Sequence, residues 1–256
     1  MISKKELMDI AKLKGLNLGN AEKDYLIDIA LLSISRNTKN ELVFKGGTCL
    51  YKFHKLNRFS EDLDFSVVSD IDIDILLSKL INDFQSFGIK IIKHKTRMPF
   101  DSMLVTLRIE GPLFSGIHLS YASLGLDFNF KSAVIIKPEL KYYESNYQDI
   151  PSISIPCMTL EEIFAEKIRA IVTRKRARDL FDIYFLIKKS VFADRQIIEN
   201  KMAYYNLNFN LKELLLRIKE LRNYWLKELA GFTQNLPEFD EVAKQVAAYL
   251  KNKYIK

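Results

Sequence analysis

Apolar residues recur at helical spacing in two opening stretches, 3–14 and 20–36, and in the second Tyr25, Leu26, Ile29, Leu32 and Ile34 mark one stripe. A short apolar run at 41–44 (ELVF) predicts a strand that passes straight into Lys45, Gly46, Gly47 and Thr48. Residues 48–56 suit a short helix with Leu50, Phe53 and Leu56 inward. The run DLDFSV then alternates, with Asp62, Asp64 and Ser66 on one face and Leu63, Phe65 and Val67 on the other, so it predicts a strand. A helix over 72–86 and strands at 88–96, 102–109 and 117–130 follow, and SAVIIKP and SISIP add two further strands. From Thr159 the pattern turns helical: Thr159 with Glu162 three residues later predicts a capping box opening a helix through 190. Further helices are predicted at 194–204, 209–229 and 237–253, the last with Pro237 in its first turn. The expected fold is α+β: a mixed β-sheet core flanked by helices over 1–157, then an all-helical part over 158–256.

Composition narrows the class. The chain has 256 residues, 48% hydrophobic and 28% charged, an ordinary globular balance. No apolar run nears the ~20 residues that span a bilayer, and the opening segment lacks the apolar stretch of a leader, so a cytoplasmic address without membrane contact is expected. Cys49 and Cys157 have no CxxC spacing, which argues against a thiolate zinc site and a disulfide framework. A net charge of +7 favours polyanionic partners without choosing among them.

Chemistry concentrates in 45–65, KGGTCLYKFHKLNRFSEDLDF. Aspartates at i and i+2 of a strand project from one face with Cα atoms about 6.5–7 Å apart. Carboxylates gathered this way repel unless protonated or neutralised, and divalent cations are a productive solution. Alone, such a pair is more often solvated surface or a turn ending. Three neighbours argue otherwise. Gly46 and Gly47 stand between a strand and a helix, where free amides can hold phosphate oxygens; Lys45 and Thr48 add a cation and a hydroxyl; and LGLDFNF places Asp127 on an apolar strand, where a lone carboxylate is costly.

The basic helix carries the second constellation. On an unbroken helix Lys167, Arg178 and Asp182 fall within about 60° of one another, with Asp179 about 120° from Lys167. Lys167 and Asp182 could then meet one ligand, and a break at the basic cluster would void that geometry. The plainer reading makes Lys167 a snorkelling lysine and gives Asp179 and Asp182 ordinary pairing with Lys175, Arg176 or Arg178. The run Arg174, Lys175, Arg176 serves equally as a solvated face or an RNA contact. His54, His94 and His118 lack ligand spacing, and Trp225 with Tyr224 and Leu226 reads as a core anchor.

The two stretches FKGGTCLYKFHKLNRFSEDLDFSV and EEIFAEKIRAIVTRKRARDLFDIYFL resemble the AbiEii-type toxin family of nucleotidyltransferases, in the DNA polymerase β-like superfamily, across about residues 20–190. The resemblance implies a glycine motif at Gly46, Gly47 and Thr48 that cradles a triphosphate, and a metal-binding pair, Asp62 and Asp64, led into by Arg58 and Ser60. It implies a third carboxylate at Asp127, the lysine of an E-K-I/L-R-A helix at Lys167, and the two aspartates of an R-D-x-x-D segment at Asp179 and Asp182, with helical geometry favouring Asp182. Lys45 and Arg178 complete the candidate nucleotide contacts. It further implies NTP as substrate, two Mg²⁺ ions, transfer to RNA such as a tRNA 3′ end with pyrophosphate release, and a cognate antitoxin. Rival readings are transfer to a protein or small-molecule hydroxyl, and a non-catalytic module that binds RNA or a partner.

Overall fold

The computed structural model describes residues 1–99, 101–131 and 133–254. Contacts divide the chain into two compact units: 1–55, 59–133 and 138–157 form the first, and 56–58, 134–137 and 158–256 the second.

The first unit is a mixed sheet with helices. Helices α1 (Lys4–Lys14) and α2 (Leu18–Asn37) precede β1 (Leu42–Lys45), which runs without a loop into α3 (Gly46–His54). Next come β2 (Asp62–Val67), α4 (Ile73–Ser86), β3 (Lys90–Arg97), β4 (Ser102–Glu110), β5 (Ala122–Asn129), β6 (Glu139–Tyr143) and β7 (Ile153–Cys157). The strand order is β3-β4-β5-β2-β1-β7-β6. Strand β2 lies parallel to β5 and antiparallel to β1, while β1 lies parallel to β7. Alternation along β4 and β5 buries Val105, Leu107, Ile109, Leu124, Leu126 and Phe128, and leaves Thr106, Arg108 and Ser123 exposed. Helix α2 packs on β5 and β7, and α4 on β3.

Several expectations shift for local reasons. Helix α3 begins at Gly46 rather than 48, since the glycine itself makes the turn. The strand expected over 117–130 starts only at Ala122, after a 3-10 turn at His118–Ser120. Of the SAVIIKP strand, Ser132 lies outside the described residues, and 133–138 is not a strand: the amides of Ile135 and Ile136 donate to the Glu162 carboxylate, each at 2.9 Å. Strand β6 forms just beyond instead. Helix α2 is buried far beyond a stripe, including Asp24 and Asp28.

The second unit is helical: α5 (Leu160–Thr173), α6 (Ala177–Lys188), α7 (Arg195–Ala203), α8 (Leu211–Glu220), α9 (Arg222–Leu229) and α10 (Phe239–Tyr254). Thr159 caps α5 through the amide of Glu162, but the capping box is incomplete because the Glu162 carboxylate turns to Ile135, Ile136 and Lys201 instead. The helical run opened by Thr159 takes the break left open at the basic cluster: it is interrupted at 174–176, where Arg174 is extended and the Glu228 carboxylate accepts from the Ala177 amide at 2.8 Å. A second break at Leu221 separates α8 from α9. Pro237 sits outside α10, where its carbonyl accepts from Trp225 Nε1 at 3.0 Å. Trp225 is buried as expected, whereas Tyr224 and Leu226 are 37% and 69% exposed and anchor no core. Among the described residues no helix is long and apolar enough to cross a membrane.

Candidate active site

The glycine turn and the acidic strands meet at one end of the sheet. Gly46 has φ +75°, in the left-handed region, and a Cβ there would stand 2.3 Å from Asp64 Oδ2. Both facts demand glycine. The Asp64 carboxylate therefore lies directly over the turn that opens α3. Lys45, at the cap position, makes no side-chain cap, since an ammonium has no acceptor to offer. The first amides of α3 thus face the acidic strand at the positive end of a helix dipole.

Register assembles the carboxylates. Asp64 is the direct partner of Lys45 on β1 and of Asp127 on β5. Direct partners carry their side chains on one face about 4.5–5.5 Å apart. Asp62, two residues back on that face, partners Gly125, and a Cβ on Gly125 would stand 2.8 Å from Asp62 Oδ1. Sequence reasoning misses Gly125; its one signal there is a glycine inside a strand pattern, which marks a close approach. Thr48 is fully buried, and its hydroxyl donates to the Asp62 carbonyl and lies 3.0 Å from Ser60 Oγ. Thr48 and Ser60 therefore hold the start of β2 against α3.

These residues suit a hard cation. Among the described residues no three His, Cys, Asp or Glu side chains close into a ready-made cage. Magnesium needs none, because it takes one or two carboxylates and fills its shell with water and substrate phosphates. Oxygen donors on Asp62, Asp64 and Asp127, beside a turn too tight for any Cβ, fit that pattern.

The second constellation lies within the helical unit. Lys167 Nζ is 2.8 Å from Asp179 Oδ1 and 2.7 Å from Asp182 Oδ2. Arg58 grips Asp182 through Nε and Nη2, both at 2.7 Å, and Arg174 grips Asp179 through Nε and Nη2 at 2.9 and 3.0 Å. Burial would raise the Asp179 carboxyl, but Lys167 and Arg174 outweigh it and hold the group well below the usual range. Burial likewise works against charge on Lys167, and Asp179 and Asp182 outweigh it and raise the ammonium. The helix break voids the arc argument, yet both aspartates reach the lysine. Arg178 places its guanidinium over the Phe232 ring, 5.5 Å from the centroid. Neither the snorkelling lysine nor the expected short-range pairing describes this cluster. Arg174, read only as part of a basic run, proves to be a clamp.

Residues 30–245 match the sequence profile of a family described as nucleotidyl transferase AbiEii toxin, type IV toxin–antitoxin system. Among solved structures the chain is similar to JHP933 from Helicobacter pylori, with 21% identity, a TM-score of 0.61 and 93% of each chain covered. It is also similar to MenT4, a nucleotidyltransferase toxin from Mycobacterium tuberculosis, with 18% identity, a TM-score of 0.63, and 92% of this chain and 85% of that one covered. At those identities the structures speak for the fold. No curated protein sequence matches the chain.

Proposed function

Because the chain belongs to the AbiEii family of nucleotidyltransferase toxins, we propose that it transfers a nucleotide from an NTP to an RNA 3′ end at the carboxylate face of β2 and β5. The observation carrying this is the packing of the Asp64 carboxylate on Gly46, with Asp127 in register beside it. One group of residues can then hold both the cation and the phosphates it accompanies.

Asp62, Asp64 and Asp127 would hold magnesium, two ions in the fullest form of the proposal. When bound, magnesium polarises the phosphoryl group and makes the attacking hydroxyl more acidic. The amides at Gly46, Gly47 and Thr48 bind phosphate oxygens, with Lys45 as the neighbouring cation. Asp127 accepts the proton of the acceptor hydroxyl as that oxygen bonds to the α-phosphorus. The bond from the α-phosphorus to the bridging oxygen breaks, and pyrophosphate departs. Ser60 and Thr48 keep Asp62 in place. In the helical unit, Arg58, Lys167 and Arg174 against Asp179 and Asp182 make three cations to two carboxylates. The excess positive charge is suited to a phosphate, with Lys167 and Asp182 the central pair. The two units are proposed as a nucleotidyltransferase domain over 1–157 and a helical domain over 158–256, and an antitoxin as the cellular partner.

Sequencing RNA 3′ ends after incubation with pure protein, Mg²⁺ and each NTP tests this reading. Added nucleotides that vanish in Asp62→Ala are expected. Equal labelling by Asp62→Ala refutes the mechanism, and label found only on protein or small molecules refutes the acceptor.

A further inference from the structure

The carboxylate face continues across the sheet into a basic edge. Two rows of directly paired residues run at right angles to the strands. One row is Arg97, Leu104, Asp127, Asp64, Lys45, and the next is Lys95, Thr106, Gly125, Asp62. Direct partners share a face, so Lys95 and Arg97 stand on the same face as the aspartates. Both are exposed, as are Thr106 and Asp62 between and beyond them. Arg97 lies two inter-strand spacings, about 10 Å, from Asp127.

Arg108 lies one row further along this face of β4, and it is also exposed. Its guanidinium sits over the Tyr121 ring at 5.4 Å and against His118 Nε2 at 3.0 Å. Tyr121 in turn stacks on Phe114, with centroids 4.7 Å apart and planes 20° apart. A half-exposed aromatic pair under an arginine therefore borders the same open surface.

Lysines on an edge strand commonly guard against strand addition. That role does not account for the arrangement here. Arg108 belongs to an interior strand, where no edge needs guarding, and a guard requires no aromatic companion. A charged track with stacking rings suits a single-stranded polynucleotide, whose phosphates meet the cations while its bases stack. An acidic peptide would use the cations and leave the rings idle.

We propose that this face, with Lys95, Arg97 and Arg108 as phosphate contacts and Tyr121 with Phe114 as a base platform, is the track along which a single-stranded RNA end enters. The proposal rests on the nucleotidyltransferase reading above and adds the acceptor's binding surface to it. Cations at the sheet edge draw the polyanion in, and the carboxylates repel it until a metal neutralises them. Only the terminal hydroxyl has to approach the acidic end.

Fluorescence anisotropy with a short 5′-labelled single-stranded RNA, in Mg²⁺ and without NTP, separates this inference from the chemistry. The Lys95→Glu/Arg97→Glu double variant is expected to bind at least about tenfold more weakly at moderate salt. Its log–log salt slope should fall by about 0.7 for each phosphate that the protein no longer neutralises. Arg108→Glu and Tyr121→Ala should each weaken binding as well. Asp62→Ala should bind RNA as tightly as the wild type while transferring nothing, so a failed mechanism and a failed track give different patterns. Unchanged affinity and salt slope in the double variant, with its melting temperature intact, overturn the proposal. So does loss of binding only on substitution of Arg174, Lys175 and Arg176, or equal competition by polyglutamate.

Discussion

Two glycines, one opening α3 and one within β5, are defined by the carboxylates lying on them. Gly46 carries Asp64 and Gly125 carries Asp62, at separations that leave no space for a methyl group. The substitutions should nevertheless behave differently. Gly46 also has positive φ, so Gly46→Ala adds a backbone cost of about 1–2 kcal/mol to the clash and should lower the melting temperature. Gly125 lies within a strand and carries no such constraint. In Gly125→Ala the Asp62 carboxylate must move aside, and a displacement of about 1 Å in a reacting group costs on the order of 100-fold in rate. Transfer is therefore expected to fall by about that factor in single-turnover assays while the melting temperature holds. In an Asp62→Ala background Gly125→Ala should cause no further strain. A Gly125→Ala enzyme of full activity would remove the Asp62 carboxylate from the chemistry. The aspartates could be read from sequence because a strand's period of two puts them on one face. Gly125 could not, because its meaning depends on which residue of β2 lies opposite, and pairing register is not written in either strand alone.

At the scale of elements, ion pairs rather than propensity decide where the helices break and dock. The basic run at 174–176 has good helix formers, and periodicity reads straight through it. The chain turns there because Arg174 bends back onto Asp179 and the Glu228 carboxylate caps Ala177. Both partners are remote in pattern, though Asp179 is near in sequence. Lys167→Met would leave Asp179 to Arg174 and Asp182 to Arg58, and each charged hydrogen bond it removes should cost about 1.5–3 kcal/mol on denaturant unfolding. Lys167→Arg should recover part of it. The pH dependence follows from Asp179. Its carboxyl is depressed in the fold, so its contribution is present above the unfolded value near 3.9 and is lost as pH falls toward the folded value. Acid unfolding should therefore steepen below about pH 4, and Asp179→Asn should flatten that limb while lowering stability at pH 7. An acid limb identical to the wild type's would show that Lys167 and Arg174 do not hold the charge. The helix that opens at the glycine turn has its own anchor. Lys52 of α3 is buried with its ammonium 2.6 Å from Asp24 Oδ1 and 2.5 Å from Asp28 Oδ1, both on α2. Lys14, 2.5 Å from Asp24 Oδ2, adds a second cation, and Tyr143, Ser145 and Tyr147 donate to the same two carboxylates. Burial first, and then Asp24, push the Asp28 carboxyl up against the pull of Lys52. Periodicity gives Asp24 and Asp28 no partner, and the docking of α3 supplies it through Lys52.

Across the whole molecule, the sign of charge is distributed against its sum. The chain carries +7, yet three aspartates share one face of two adjoining strands, and one of them, Asp64, lies on the glycine turn. A triphosphate alone should be poorly held there, because the amides of α3 attract it while the carboxylates repel it. A metal alone gains carboxylates but lacks phosphates to complete its shell. Together they satisfy each other, so binding should be strongly coupled, and that coupling is measurable as stability. A ligand present at about 100 times its dissociation constant adds about 2.7 kcal/mol to a native state. Mg²⁺ with NTP is therefore expected to raise the melting temperature clearly more than the sum of either alone, and chelation of Mg²⁺ should return it to the NTP-only value. Asp64→Asn should abolish the joint shift, since the charge that recruits the cation is gone. The Lys95→Glu/Arg97→Glu variant should keep the full shift, since those cations sit at the sheet edge and serve the acceptor. If Mg²⁺ and NTP stabilise the protein independently, the carboxylates and the glycine turn serve different ligands, and the single-site account of this face is wrong.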